Sequence, residues 1–174
     1  MSPDVAVLVV SDRVAAGSRQ DESGPAACEA LGPFAAVVAL AVVPDEAEPI
    51  REHLLSWCDD GVEVVLTLGG TGFSPRDVTP EATRSVIERE APGLIVGLVV
   101  NGLQSTPRAV LSRAVAGIRG NTLIVNLPGS PKGVRESVAY LGPLLTHAMA
   151  MLRGEGHEDV GAPGPRSGRG HQVC

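Results

Sequence analysis

Aromatic side chains are almost absent from this chain. Two Phe, one Trp and one Tyr amount to 2% of its 174 residues, while hydrophobic residues make up 44%. A core must therefore be assembled from Val, Leu, Ile and Ala, which suits buried parallel strands covered by helices better than a sandwich rich in Tyr and Trp. Cysteine is scarce as well: Cys28, Cys58 and Cys174 are widely spaced and odd in number, a pattern that argues against a disulfide framework and against a zinc site. Basic charge is also short, with fourteen Lys and Arg against twenty Asp and Glu and a formal net charge of -6. That balance opposes general affinity for a nucleic-acid backbone, so no nucleic-acid partner is expected, yet it allows a small phosphate site lined by backbone N–H groups. No apolar run approaches the ~20 residues that span a bilayer. The opening Met-Ser-Pro-Asp lacks the basic start and apolar stretch of a signal peptide. The expectation is one compact cytoplasmic domain with no membrane segment.

What is present alternates between two kinds of segment. Residues 5–10 form a continuous apolar run rich in Val, read as a buried strand that ends at Ser11-Asp12-Arg13. Residues 35–43 and 62–68 read as further strands, and 114–118 and 122–127 as two more around the turn Arg119-Gly120-Asn121. Helical patterns lie between them. Residues 21–31 have Pro25 near the first turn, and 44–58 place Ile50, Leu54, Leu55 and Cys58 at helical spacing. Residues 79–90 begin with Thr79 as N-cap and Pro80 at the first helical position; 94–103 and 131–152 complete the set. Strands alternating with helices predict an α/β fold with a mostly parallel sheet. From residue 154 the chain is rich in Gly, Pro and charge with almost nothing to bury. A folded domain over 1–153 and a disordered tail over 154–174 are expected.

The chemistry-bearing residues gather where strands end. Gly69-Gly70-Thr71-Gly72 follows a strand directly, so bare backbone N–H groups stand at its carboxyl end, where α/β sheets bind ligands and phosphates. Taken alone, those glycines read first as the turn of a tight corner. Next come Arg76 and Asp77: a carboxylate suited to Mg²⁺, which prefers one or two carboxylates plus phosphate oxygens, and a guanidinium suited to an anion. Asp45 stands past the end of another strand at a helix start, where capping is the ordinary use of an aspartate. Ser11-Asp12-Arg13 and Asn126-Leu127-Pro128-Gly129-Ser130-Pro131-Lys132-Gly133 are two further strand-end clusters. Four such clusters outline one concave, anion-tolerant site. No Ser-His-Asp or Cys-His arrangement stands out, and no general base is evident, which fits a reaction run by positioning and electrostatics.

In this order the segments resemble the molybdenum-cofactor biosynthesis family that includes MogA, MoaB and the plant and gephyrin G domains. The resemblance runs from about Val5 to Arg153 and is carried by VSDR at 10–13, DESGP at 21–25, VPDE at 43–46, LTLGGTGFSPRDVTPEAT at 66–83, IEREAPGL at 87–94, LSRAVAGIRG at 111–120 and LIVNLPGSPKG at 123–133. It implies a three-layer αβα fold and molybdopterin adenylyltransferase activity, in which ATP with Mg²⁺ and molybdopterin give adenylylated molybdopterin and pyrophosphate. By resemblance, Asp77 and Asp45 are the catalytic carboxylates and the Mg²⁺ ligands. Gly69, Gly70, Thr71 and Gly72 would hold phosphate, and Ser11, Asp12, Arg76, Thr79, Ser112, Pro128, Gly129, Ser130 and Lys132 would complete the substrate and nucleotide site. A homotrimer is implied, with hexamers among some members, as is a partner protein that inserts molybdate. Common bacterial members carry an acidic residue and an arginine after the Pro-Gly pair, where this chain has Val96 and Val99, as the plant and gephyrin branch does; an apolar subunit contact would suit that change. The competing readings are a pterin-binding protein without turnover and a scaffold. Retention of both Asp45 and Asp77 weighs against the first, and the lack of a recognisable second domain against the other.

Overall fold

The computed structural model describes residues 2–155, so the tail expected from 154 onward lies outside the described residues apart from Gly154 and Glu155. In chain order the elements are β1 (Asp4–Val10), α1 (Asp12–Ala15), α2 (Ser23–Leu31), β2 (Ala36–Val43), α3 (Ala47–Asp59), β3 (Val64–Leu68), α4 (Thr79–Arg84), β4 (Arg89–Glu90), α5 (Pro92–Leu103), a 3₁₀ turn (Pro107–Leu111), β5 (Ala116–Arg119), β6 (Thr122–Leu127) and α6 (Pro131–Leu152). The six strands make one sheet in the order β2-β1-β3-β6-β5-β4. β2, β1, β3 and β6 run parallel, while β5 and β4 add an antiparallel edge. The expected three-layer αβα architecture with a mostly parallel sheet is the one observed.

Alternation along the central strands explains the layers. Val5, Val7 and Val9 of β1 pack with Ala27 and Leu31 of α2 and Val138, Leu141 and Leu145 of α6. Ala6, Leu8 and Val10 point the other way, onto Ile50 and Leu54 of α3 and Ala82 of α4. β3 is buried along its whole length, which is why its sequence does not alternate; its one polar residue, Thr67, is buried with the rest. Each such Val or Leu contributes about 1.5–3 kcal/mol by leaving water. Because four parallel strands point the same way, their carboxyl ends share one edge of the sheet. Chain order reverses across β1, with β2 on one side and β3 on the other, and such a reversal opens a crevice for ligands.

Two expectations need correction. The helix expected over 79–90 stops at Arg84, since the chain is taken up by the sheet edge: Glu88 N–H donates to Ile118 C=O and Ala91 N–H to Ala116 C=O. Thr79 is the first residue of α4 rather than its cap, and its side chain bonds elsewhere.

Candidate active site

The loop after β3 is shaped by its glycines. Gly69 and Gly70 have φ of 102° and 64°, the left-handed region that residues with a Cβ rarely enter. A Cβ on Gly69 would come to 2.6 Å from the Val10 carbonyl oxygen, and one on Gly70 would collide with Thr79 Oγ1. Thr79, fully buried, pins the loop from behind: its hydroxyl donates to Gly69 C=O at 2.9 Å and its N–H to Gly70 C=O at 3.1 Å. Gly69 N–H is spent on Leu127 C=O at 3.1 Å, whereas the N–H groups of Gly70, Thr71 and Gly72 find no acceptor among the described residues. The glycines thus do turn a corner, and the corner leaves three donors unused.

Two clefts of about 490 Å³ open on this edge of the sheet. The first holds the acidic residues. Ser11, Asp12, Asp45, Gly69, Gly70, Arg76, Asp77, Gly129 and Ser130 all line it, so the ends of β1, β2, β3 and β6 do converge. Asp12 and Asp45 bind each other through the main chain: Asp12 N–H donates to Asp45 Oδ2 at 2.8 Å, and Asp45 N–H to Asp12 Oδ1 at 2.9 Å. Arg76 closes on the same carboxylate in two-pronged fashion, from Nε to Asp12 Oδ2 at 2.9 Å and from Nη2 to Asp12 Oδ1 at 2.8 Å. The Asp12 carboxylate is thereby engaged in tying three strand ends together.

These contacts separate the titration of the two acids. The Arg76 guanidinium, aided by the Asp45 N–H, holds the Asp12 carboxyl below the usual aspartate range. Burial pushes the Asp45 carboxyl above that range; the Asp12 N–H opposes the rise, and the charges of Asp12 and Asp77 add to it. Asp45 is a half-buried carboxylate facing like charges, an arrangement that a cation relieves. Among the described residues no three His, Cys, Asp or Glu side chains gather as a ready metal cage. Hard carboxylate oxygens on Asp45 and Asp77, with the remaining positions left to phosphate and water, fit the coordination habit of Mg²⁺.

The second cleft lies between α5, the 3₁₀ turn and the start of α6. Ile95, Leu98, Val99 and Leu111 make its walls, and Thr71, Gly72, Ser112, Pro128, Ser130 and Lys132 bring it to the glycine loop. Ser130 belongs to both clefts. Its hydroxyl also caps α6, accepting from Gly133 N–H at 3.1 Å. Lys132 Nζ stands 3.7 Å from Glu136, whose carboxylate accepts from Ser105 Oγ at 2.7 Å and so joins the segment after α5 to α6.

Two supporting residues, Arg113 and Glu81, escaped the sequence reading, and a third, Asn126, entered it only as the start of the 126–133 segment. Asn126, fully buried on β6, donates from Nδ2 to Thr67 Oγ1 at 2.9 Å and to Thr83 Oγ1 at 2.8 Å, and its Oδ1 accepts from Val115 N–H at 3.0 Å. Arg113 reaches from the segment before β5 to Gly72 C=O at 2.7 Å and Asp77 C=O at 2.6 Å, and pairs with Glu81 of α4. Glu81 feels burial first, which raises its carboxyl, but hydrogen bonds from Arg113 and its own backbone leave it below the glutamate range. Asn126 could have been suspected as a polar residue inside an apolar strand; Arg113 gave no local signal.

Comparison with known proteins places the chain. Residues 6–147 match the family described as "Probable molybdopterin binding domain". The molybdenum cofactor synthesis protein cinnamon of Drosophila melanogaster is 44% identical over 149 residues, covering 84% of this chain and 25% of that protein. The molybdopterin adenylyltransferase of Helicobacter pylori strain J99 is 37% identical over 154 residues, covering 86% of this chain and 88% of that one. In structure, the molybdopterin biosynthesis enzyme MoaB from Thermus thermophilus superposes with a TM-score of 0.82 at 49% identity, over 87% of this chain and 96% of that one. The chain spans between about a fifth and a half of the length of several of the curated relatives it matches. On the family match and these identities, the chain belongs to the molybdopterin-binding family of molybdenum-cofactor biosynthesis proteins.

Proposed function

We propose that this protein adenylylates molybdopterin at the expense of ATP. A phosphate oxygen of molybdopterin attacks the α-phosphorus of ATP; the new P–O bond forms as the bond to the β-phosphate bridging oxygen breaks, and pyrophosphate carries away the electron pair. The observation that carries the reading is the pairing of Asp45 and Asp77 in one cleft beside the glycine loop, whose unused N–H groups lie at Gly70 on that cleft and at Thr71 and Gly72 on the other. Backbone donors fixed before the substrate arrives stabilise phosphate charge without reorganising. Mg²⁺, held by Asp45 and Asp77, would neutralise charge on the reacting phosphates. Ser11 and Gly129 wall the acidic cleft, Arg76 holds Asp12 in place, and Ser130 with Lys132 receives anionic oxygens where the two clefts meet. Each cleft is large enough for one planar heterocycle, so the two substrates meet at the loop rather than compete for one pocket.

The same reading extends to assembly. Val96, Val100 and Leu103 of α5, with Val110 and Leu111 of the adjoining turn, are exposed, and such a patch is covered when copies associate. A homotrimer is the expected state, a hexamer the next, and a molybdate-inserting protein the expected downstream partner in the cytoplasm. No helix among the described residues is long and apolar enough to cross a membrane.

The decisive experiment mixes purified protein, molybdopterin, ATP and Mg²⁺ and follows adenylylated molybdopterin and pyrophosphate by mass spectrometry. Product formation supports the enzyme reading. A pterin-loaded protein that forms no product would leave a binding protein without turnover. Light scattering reads the mass of the assembly.

A further inference from the structure

Asp77 sits on a short turn whose bonds at Asp77 itself stay within the turn. Its N–H donates to Ser74 C=O at 2.9 Å and its Oδ2 accepts from Ser74 N–H at 2.9 Å, so the turn is closed on itself. Arg76 ties the middle of the turn to Asp12, and Arg113 fastens its two ends. The main-chain N–H of Arg113 donates to Thr71 C=O at 2.8 Å. Its guanidinium then spreads over three acceptors: Nε to Gly72 C=O at 2.7 Å, Nη2 to Asp77 C=O at 2.6 Å, and Nη1 to the Glu81 carboxylate. Residues 72 and 77, the two ends of the segment, are thus held by one rigid plane. The ends already touch, since a Cβ on Gly72 would lie 2.9 Å from Asp77 Oδ2.

A planar guanidinium suits this task for a physical reason. Its donors diverge in fixed directions, and a bond from a cation to a carbonyl is stronger than a neutral one. The Arg113 side chain is 33% exposed, so most of it is shielded from competing water. An ammonium at the end of a lysine offers a point charge instead and cannot meet three acceptors laid out for a fork.

We propose that Arg113 is a positioning residue for Asp77, clamping both ends of the 72–77 segment through their carbonyls and so fixing the Asp77 carboxylate opposite Asp45. Its effect on turnover rests on the adenylyl-transfer reading above; its effect on the loop rests on geometry alone. The two are tested separately, with the full chain and the variants Arg113→Ala, Arg113→Lys and Glu81→Gln.

Amide hydrogen exchange without substrates reads the loop. Arg113→Ala and Arg113→Lys should speed exchange at the hydrogen-bonded amides of Ser74, Arg76 and Asp77 by about tenfold or more, with the core strands unchanged. In steady-state assays both should lose about 10²-fold in kcat, the scale of a displaced catalytic group, while KM for ATP moves less than about threefold. Added guanidinium ion should restore part of the rate of Arg113→Ala and none of that of Asp77→Asn. Glu81→Gln keeps both carbonyl bonds and should remain within about threefold of the parent. Unchanged loop exchange in the arginine variants overturns the proposal. So does a loss from Glu81→Gln as large as that from Arg113→Ala, since the ion pair would then be the working contact. Should Arg113→Ala fail to fold, Arg113→Lys decides: parental exchange and turnover in it overturn the clamp. Absence of turnover in the parent protein would sink the adenylyl-transfer reading and leave the exchange comparison to judge the clamp.

Discussion

The two clefts have the same volume and share a loop, yet they are built on opposite principles. The acidic cleft is lined by strand ends, where main-chain groups and short side chains converge, and its Asp12 and Asp45 carboxylates are held by hydrogen bonds from each other's strand ends. The apolar cleft is lined by α5, the 3₁₀ turn and α6, with Ile95, Leu98 and Val99 supplying surface rather than charge. One is a place where charge is set with little freedom; the other is a place where shape is matched. A transferase that joins two substrates through phosphate needs both, because binding the rings and stabilising the reacting charge are separate tasks. Substitutions in the first cleft should therefore act on kcat and substitutions in the second on KM.

The largest expected effect comes from Asp77→Asn. It preserves shape and the acceptor for Ser74 N–H but removes a charge. Turnover should fall by about 10²–10³-fold, the scale seen when one preorganised electrostatic group is lost, while molybdopterin binding, followed by fluorescence or equilibrium dialysis, largely survives. Equal loss of binding and turnover would make Asp77 a structural residue and blur the distinction between the clefts.

Gly70→Ala comes next and attacks the shared loop. The left-handed backbone and the collision with Thr79 Oγ1 should together cost about 1–3 kcal/mol, read as a lower denaturation midpoint with unchanged slope. A variant as stable as the parent would mean that the loop can shift off Thr79, and that its geometry is not the fixed cradle described above. Val99→Trp is the matching probe of the apolar cleft. It should raise KM for one substrate about tenfold and leave kcat within about threefold, and the substrate affected is the one whose ring lies there. A matched fall in kcat would show that this wall also sets the reacting geometry.

How much of this was legible beforehand follows the same division. Strand ends are local: a Val-rich run that stops at Ser11-Asp12, or one that runs into Gly69, announces both the strand and the polar cluster after it, and the parallel sheet does the rest by bringing the ends together. The apolar cleft was legible only at its polar rim, Ser112 and Pro128 to Lys132, because Ile95 and Leu98 read as one more hydrophobic helix and Val99 as a subunit contact until α6 is placed against them. Thr79 illustrates a tertiary contact overriding a local pattern. Thr-Pro is a sound helix start, but the hydroxyl is worth more to the buried Gly69 carbonyl than to the end of a helix. The short α4 has the same origin, since the edge of β5 offers backbone partners that a continued helix would forgo. Arg113 lies 36 residues from Asp77 in sequence, and no periodicity links them.

The smallest expected effect is the most diagnostic of the acidic cleft, because stability and activity should move in opposite directions. Asp12 has its carboxyl lowered by Arg76, so its contribution is present above the ordinary aspartate range and is lost as pH falls through its folded value. Asp45 is raised by burial, so the sign reverses: its contribution is present at low pH and is lost as pH rises through its folded value, leaving a poorly solvated charge at neutrality. Asp45→Asn keeps an oxygen for the Asp12 N–H and discards that charge. Its melting temperature at neutral pH should equal or exceed that of the parent, with the gap closing as pH drops toward the ordinary aspartate range, while turnover falls. Millimolar Mg²⁺ alone should raise the melting temperature of the parent and not that of the variant, since a cation relieves only a charge that is there. A variant less stable than the parent at every pH would mean that the Asp45 charge serves to anchor α1 and not to receive a cation, and the case for a charge-setting cleft would then rest on Asp77 alone.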